Sequence, residues 1–382
     1  MQLKSSRLKG MRIAHCVTGS VAAIEAPKIA RELKRHGAQV QVYMSRAAQK
    51  IIHPYTMQFA AETVVTKLTG GMEHLREFDL VLIAPATATT MSKIAVGIAD
   101  SPVTALALAS RAKMVIAPAM AMKMYESRAL KENIEKLKAR GCVFVEPKFE
   151  EGKAKLAQLD EVVDAVIAGL VEKNLAGMKV VVTAGPTIEY IDPLRIITNK
   201  SSGMMGIELA KEAYRRGAEV KLIYAPGCIE VPRYLDVARV ETSAEMLSQV
   251  KKSKCDVFVF AAAVADFSPK KAREKIDSKK GCIELNLYPT PKIIDEVQDS
   301  KAVRVAFKAL HNASGKELKT AAKNALAEYH VDIAVANDAS KVMGAEDSEV
   351  YIATEKSVEH VPLVSKAEVA KRIWDTVKEL KK

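Results

Sequence analysis

The chain has 382 residues, 49% hydrophobic, 27% charged and 5% aromatic, with five cysteines and a formal net charge of +12. This is globular composition on a length that suits two domains with sizeable cores. The cysteines are scattered, odd in number and lack a CxxC pair, which excludes a disulfide framework and a structural zinc site. No apolar run is long enough to cross a bilayer. The lysines are spread along helical segments and aromatics are scarce, so no stacking platform for bases is expected and nucleic acid is not an expected partner. The basic start MQLKSSRLKG is followed by a segment broken by His15, Thr18 and Glu25. That is not a secretion signal, so a cytoplasmic protein with no membrane partner is expected.

In the first half, strands are expected at residues 11–17, 40–44, 79–84, 114–117 and 143–145. Helices are expected at 21–36, 87–96, 102–110 and 128–140. Ser45 stands at a natural N-cap position. Strands alternating with helices imply a parallel sheet covered on both faces, with ligands outside the carboxyl ends of the strands. Those ends carry Thr18-Gly19-Ser20, Ser45, Pro85-Ala86-Thr87 and Pro118-Ala119-Met120. Small hydroxylic residues and open N–H groups there suit a mononucleotide. An amphipathic helix at 160–174 and a break at 175–177 divide the chain into domains 1–176 and 177–382.

The second half restarts the pattern. A strand at 179–182 turns at AGPT (184–187), and Ser201-Ser202-Gly203 open a helix running to 216. Strand, small-residue turn and helix N-terminus form a phosphate-binding grammar, because unpaired N–H groups and the helix dipole both favour an anion. Further strands are expected at 219–224, 237–240, 256–260, 303–307 and 332–336, with an edge strand at 349–354. Helices are expected to start at 290 and to run over 316–329 and 366–381. The fold class expected is α/β: two doubly wound Rossmann-like domains, each a mainly parallel sheet with helices on both faces.

TGSVAAIE, APATATTMSKIAVGIAD and APAMAMKMY resemble the flavin-dependent cysteine decarboxylase family. AGPT, DPxR, TNxSSG, AAAVADF, EKI, TPKII and VAND, in that order, resemble the phosphopantothenate–cysteine ligase family. Together the halves resemble the bifunctional decarboxylase/ligase family of coenzyme A biosynthesis. The resemblance implies FMN bound by Gly19, Ser20, Ser45, Pro85, Ala86, Thr87, Thr104 and Met120, with His74 as the catalytic histidine. It implies CTP as co-substrate, held by Ala262, Ala263, Asp266, Lys275, Pro291, Lys292, Ile293, Ile294, Phe307 and Lys323. Asn199 would hold the acyl-nucleotide intermediate, Lys275 would steady its phosphate, and Mg²⁺ would accompany the triphosphate at a site the sequence does not identify. The implied substrates are 4'-phosphopantothenate, L-cysteine and CTP. The implied assembly is a homo-oligomer, trimer-based in the decarboxylase and dimeric in the ligase.

Several positions depart from the family pattern. Ala121 stands where the family has a carboxylate-binding Asn. The lid region EPKFEEGKAKLAQLDEVV has no Cys to protonate the enethiol; Lys153 and Lys155 are the candidates to bind the substrate phosphate or supply that proton. Met204 and Ile188 replace a Lys and an Arg near the ligase phosphates. These departures set a second reading beside the first: a ligase whose front domain binds flavin or builds the oligomer without decarboxylating.

Overall fold

Apolar runs rich in Val, Ile and Ala become parallel strands here because helices bury them from either side. The computed structural model describes residues 3–277, 281–297, 301–342 and 344–381, in two units, Met1–Glu172 and Lys173–Lys382. In the first unit β1 (Arg12–Val17), β2 (Gln39–Met44), β3 (Thr63–Val65), β4 (Leu80–Ala86), β5 (Lys113–Pro118) and β6 (Val143–Phe144) form one sheet. Its order is β3-β2-β1-β4-β5-β6, with every neighbouring pair parallel. Successive residues point to opposite faces. Ile13 and Val17 face α1 (Ala26–Arg35) and the later helix Leu159–Leu170. Ala14 and Cys16 face α2 (Ala88–Val96), α3 (Pro102–Ala109) and α4 (Arg128–Ala139). The Leu159–Leu170 helix is α5.

In the second unit β7 (Lys179–Ala184), β8 (Glu219–Tyr224), β9 (Asp236–Arg239), β10 (Val257–Phe260), β11 (Val303–Leu310), β12 (Ile333–Asp338), β13 (Asp347–Ala353) and β14 (Val358–Ser365) form the larger sheet. The order is β9-β8-β7-β10-β11-β12-β13-β14; β13 and β14 are antiparallel additions to a parallel core. Helices α6 (Met204–Arg215), α7 (Ser243–Lys252), α8 (Gly315–Glu328) and α9 (Lys366–Leu380) cover it. Fully buried Trp374 of α9 donates its indole N–H to Leu209 O at 2.9 Å, which fixes α9 against α6. Among the described residues no helix is long and apolar enough to cross a membrane.

The structure corrects the expected elements in several places. The expected helix at 21–36 is a 3₁₀ turn, Val21–Glu25, followed by α1, because Pro27 sits in the first turn of α1 and has no N–H to continue a ladder from before it. The helix expected over 160–174 ends at Leu170, where Val171 turns extended. The helix expected from 290 is a turn at 293–296 within the described residues, closed by Asp295 N–H to Lys292 O at 3.1 Å. β13 is not an edge, since β14 lies outside it. Cys228 and Cys282 are exposed.

His15 has no place in the expected chemistry. It is fully buried in β1, with Nε2 2.7 Å from Ala84 O. The carbonyl fixes the proton on Nε2, and Nδ1 is buried with no hydrogen-bond partner. Burial lowers its pKa to about 4, against the opposing pull of the Ala84 carbonyl, so the ring is neutral.

Candidate functional site

In both sheets the strand order reverses next to the first strand, between β1 and β4 and between β7 and β10. Loops at such a switch point diverge and leave a crevice at the carboxyl ends. At the first crevice Thr18 Oγ1 donates to Pro85 O at 2.7 Å and accepts the Thr87 N–H at 3.0 Å. This ties the TGS turn to the end of β4. Gly19 is required for packing: a Cβ there would lie 2.4 Å from Ala47 Cβ in the loop after β2. Ser20 accepts the Ala22 N–H at 3.4 Å, and Ser45 accepts the Ala48 N–H at 3.1 Å. Each hydroxyl spends a lone pair and keeps its proton for a ligand oxygen. Thr87 caps α2 through the Thr90 N–H at 3.3 Å. Gly19, Ser20, Ser45, Pro85, Ala86 and Thr87 therefore gather at the ends of β1, β2 and β4, and Met120 follows β5. Thr104 is different: it is buried in the capping box of α3, where its hydroxyl accepts the Ser101 N–H at 3.0 Å.

Met120–Ala121 pairs with a small ribbon, Lys148–Glu150 with Lys153–Lys155, and places Ala121 opposite Lys153. Lys155 is held by Glu150 at 3.3 Å and Glu151 at 2.8 Å, so its ammonium is already partnered. His74 lies in a 3₁₀ turn, Glu73–Leu75, before β4, and its Nδ1 is buried with no hydrogen-bond partner. The hydroxyl and N–H of Thr69 donate to the Glu73 carboxylate and lower its pKa to about 2, which anchors that turn.

At the second crevice the loops after β7 and β10 are stitched together. Thr187 N–H donates to Ala263 O at 3.2 Å, Ala263 N–H to Gly185 O at 3.0 Å, and Ala265 N–H to Thr187 Oγ1 at 2.9 Å. Gly185 has φ +83°, and a Cβ on it would meet Ala225 O at 2.2 Å, so only glycine fits the AGPT turn. Asn199 Nδ2 donates to Ala263 O at 3.2 Å and Val264 O at 3.1 Å. Both amide protons are committed, and the carbonyl oxygen is what Asn199 can offer a ligand.

Beside these loops lies a cavity of about 430 Å³, a size suited to a nucleotide. Asn199, Ala262, Ala263, Asp266, Phe307 and residues 291–294 line it. Thr290, Lys308 and Tyr329 are among the further lining residues that sequence reasoning did not select. Thr290 donates to Ala265 O at 2.5 Å. Lys308 Nζ lies 2.6 Å from Tyr329 Oη and 3.2 Å from Glu328 Oε1; Lys292 Nζ lies 5.6 Å from the Tyr329 ring centroid. Despite the burial of Lys308, these partners raise its pKa, so the ammonium is charged. Lys275 is exposed and outside the lining, and Lys323 lines a separate cavity with Lys319 and Thr354. A smaller cavity of about 160 Å³ adjoins, lined by Ser201, Ser202, Gly203, Asn337, Ser348 and Lys366 among others. It faces the N-terminus of α6, whose N-cap Gly203 offers no side-chain cap. Among the described residues no group of three or more His, Cys, Asp or Glu is placed to hold a metal.

Family models match both units: "Flavoprotein" over residues 1–171 and "DNA/pantothenate metabolism flavoprotein C-terminal domain" over residues 175–380. The coenzyme A biosynthesis bifunctional protein CoaBC of Thermococcus kodakarensis is 47% identical over 99% of this chain and 97% of its own length. The protein of the same name from Methanocaldococcus jannaschii is 39% identical over 99% and 96%, and that of Bacillus subtilis 32% identical over 98% and 98%. A solved C-terminal domain of a CoaBC protein is 30% identical, with a TM-score of 0.47, over 55% of this chain and 98% of that one.

Proposed function

The chain belongs to the family of bifunctional coenzyme A biosynthesis proteins, a flavoprotein decarboxylase domain followed by a ligase domain, and from that premise we propose how its residues divide the work. The ligase half, 177–382, joins cysteine to 4'-phosphopantothenate with CTP as co-substrate. The pantothenate carboxylate attacks the α-phosphorus and pyrophosphate leaves. The cysteine amine then attacks the acyl carbon and CMP leaves. The observation that carries this reading is the cavity at the β7/β10 switch point, with Asn199 on its wall and Lys292 and Lys308 among its lining cations. Lys292 neutralises charge on the departing pyrophosphate, Lys308 adds to it while shared with Glu328, and Asn199 holds the acyl nucleotide from a fixed amide plane. Lys275 reaches the nucleotide from the loop beside it. Asp266, the carboxylate lining that cavity, would help to hold Mg²⁺, which would supply charge neutralisation for the triphosphate. The smaller cavity takes the phosphate of 4'-phosphopantothenate on the N-terminus of α6.

The flavoprotein half, 1–176, decarboxylates the product to 4'-phosphopantetheine. FMN fits the first crevice, where Gly19 allows close approach and Ser20 and Ser45 keep a proton for its oxygens. Bound flavin supplies the two-electron oxidation and its return. His74 orients the substrate carboxylate or moves protons at its ring nitrogens. Lys153, opposite Ala121 and near Glu151 without the close ion pairs that Glu150 and Glu151 make with Lys155, is the better placed of the two lysines to meet substrate. The assembly is oligomeric. Exposed Val21, Ile24, Tyr55 and Phe59 in the first unit, and Phe267, Leu287 and Tyr288 in the second, supply apolar surface to bury. The working compartment is the cytoplasm. Purified protein should take up FMN with a visible absorbance band, and Gly19→Val should abolish it; wild-type protein that binds no FMN would overturn the first half of this reading.

A further inference from the structure

Lys366 is the first residue of α9 and is only 6% exposed. Its Nζ donates to Val342 O at 3.2 Å and to Ala345 O at 2.5 Å, and its own N–H donates to Glu346 O at 3.1 Å. These bonds hold the loop after the short helix Ala339–Val342. They leave the charge unanswered. Both acceptors are neutral carbonyls, and an ammonium carries three donors. Among the described residues no carboxylate pairs with it; Asp347 acts through space without forming an ion pair. Nor does the helix favour a cation at this position, because the first turn is the positive end of the α9 dipole. Burial lowers the Lys366 pKa, with the charge of Asp347 pulling the other way. A neutral donor would serve the same carbonyls without burying a charge.

Lys366 lines the smaller ligase cavity and is the one ionisable side chain among the described residues that do so. The same cavity takes in Ser201, Ser202 and Gly203, which lead into the N-terminus of α6. Ser201 Oγ accepts the Gly203 N–H at 3.3 Å and Ser202 Oγ the Met204 N–H at 3.4 Å, so each hydroxyl keeps its own proton to donate. Met204, the next residue on the lining, brings no charge. A buried ammonium, two hydroxyls and the positive end of a helix thus meet with no acid among them. Their complement is a compact anion rich in acceptors. We infer that Lys366 is the counter-ion of the phosphate monoester of 4'-phosphopantothenate, and so the residue by which the ligase half tells the phosphorylated acid from pantothenate itself. The inference rests on the phosphate lying in this cavity, and the test separates the two.

Wild type, Lys366→Gln, Lys366→Met and Ser202→Asp would be compared in the full-length protein by pyrophosphate release at saturating CTP, with 4'-phosphopantothenate or pantothenate as the acid. Lys366→Gln keeps an N–H for the carbonyls and drops the charge; Lys366→Met drops both, and Tm controls for folding in each. In both, the ratio of kcat/KM for 4'-phosphopantothenate to that for pantothenate should fall about thirtyfold, the loss of roughly one charged hydrogen bond. The fall should come through KM for the phosphorylated acid. An unchanged ratio, or equal losses on the two acids, would make Lys366 a support of its loop and overturn the inference. Ser202→Asp sets a carboxylate at the same helix end without altering Lys366 and should lower the ratio at least as far. A fall in Ser202→Asp with none in the Lys366 variants would keep the phosphate in this cavity and remove Lys366 from its recognition. An unaltered ratio in Ser202→Asp would put the phosphate elsewhere, and the seat and the inference would fall together.

Discussion

Asn199→Ala should slow formation of phosphopantothenoylcysteine by about two to three orders of magnitude, roughly 3–4 kcal/mol of transition-state stabilisation, the scale of removing one fixed polar group from the reacting centre. Asn199 follows the ribbon strand Ile196–Thr198, and both its amide protons are spent on Ala263 and Val264 carbonyls. The side chain therefore does two things. It buttresses the loop after β10 and presents a carbonyl oxygen in a fixed plane. Asn199→Asp should be at least as damaging, because a carboxylate cannot donate to those two carbonyls and repels them. The check is steady-state ligation followed by pyrophosphate release, with FMN content and Tm as controls for folding. Ligation within threefold of wild type in Asn199→Ala would remove Asn199 from the mechanism.

The second large effect concerns stability. His15 is held neutral with its pKa near 4, whereas in the unfolded chain it titrates near 6.5. Between those values the unfolded state binds a proton that the folded state refuses. Stability therefore rises with pH across the window and falls on acidification from pH 6.5 to pH 4, by about 3 kcal/mol in all. The carboxylates of Glu73 and Asp192, both near 2 when folded, lose their contribution only at lower pH, below their unfolded values. Denaturant unfolding of wild type and His15→Leu at closely spaced pH values isolates the term. The variant should lose the slope between pH 4.5 and 6.5 and keep the acid limb below it. Parallel curves for the two proteins would mean that His15 titrates alike in the folded and unfolded chain.

Much of this architecture is legible in the chain because buried parallel strands are written as plain apolar runs. The expected strand at 219–224 and β8 coincide, and β1, β2, β4, β10 and β12 differ from expectation by a residue or two. Small residues after each run mark the carboxyl ends, so the two crevices follow once the alternation is seen. What the residues do not announce is held by distant partners. β3 is short and at a sheet edge, and the Lys148–Glu150 and Lys153–Lys155 ribbon is mostly charged. Neither carries a period of its own that marks a strand. Lys308 and Tyr329 look like a strand-end lysine and a helix-end tyrosine; only the pairing of β11 with β12 and the packing of α8 bring them to one cavity wall. The Ile276 N–H donates to the carboxylate of Asp192, 84 residues away in sequence, a separation over which periodicity says nothing. The turn at 293–296 shows the opposite error: Pro291 suits a helix start, but a start signal does not supply the packing that continues a helix.

The departures at Ala121 and in the cysteine-free ribbon of Lys148–Glu150 and Lys153–Lys155 weigh on the flavoprotein half. Lys153 stands opposite Ala121, and this half has to complete the reaction with that changed set of groups. The most direct measurement supplies purified protein with 4'-phosphopantothenate, cysteine, CTP, Mg²⁺ and FMN and follows the products by mass. The expected result is consumption of CTP, transient phosphopantothenoylcysteine and accumulation of 4'-phosphopantetheine. Accumulation that stops at phosphopantothenoylcysteine, with FMN bound, would contradict it.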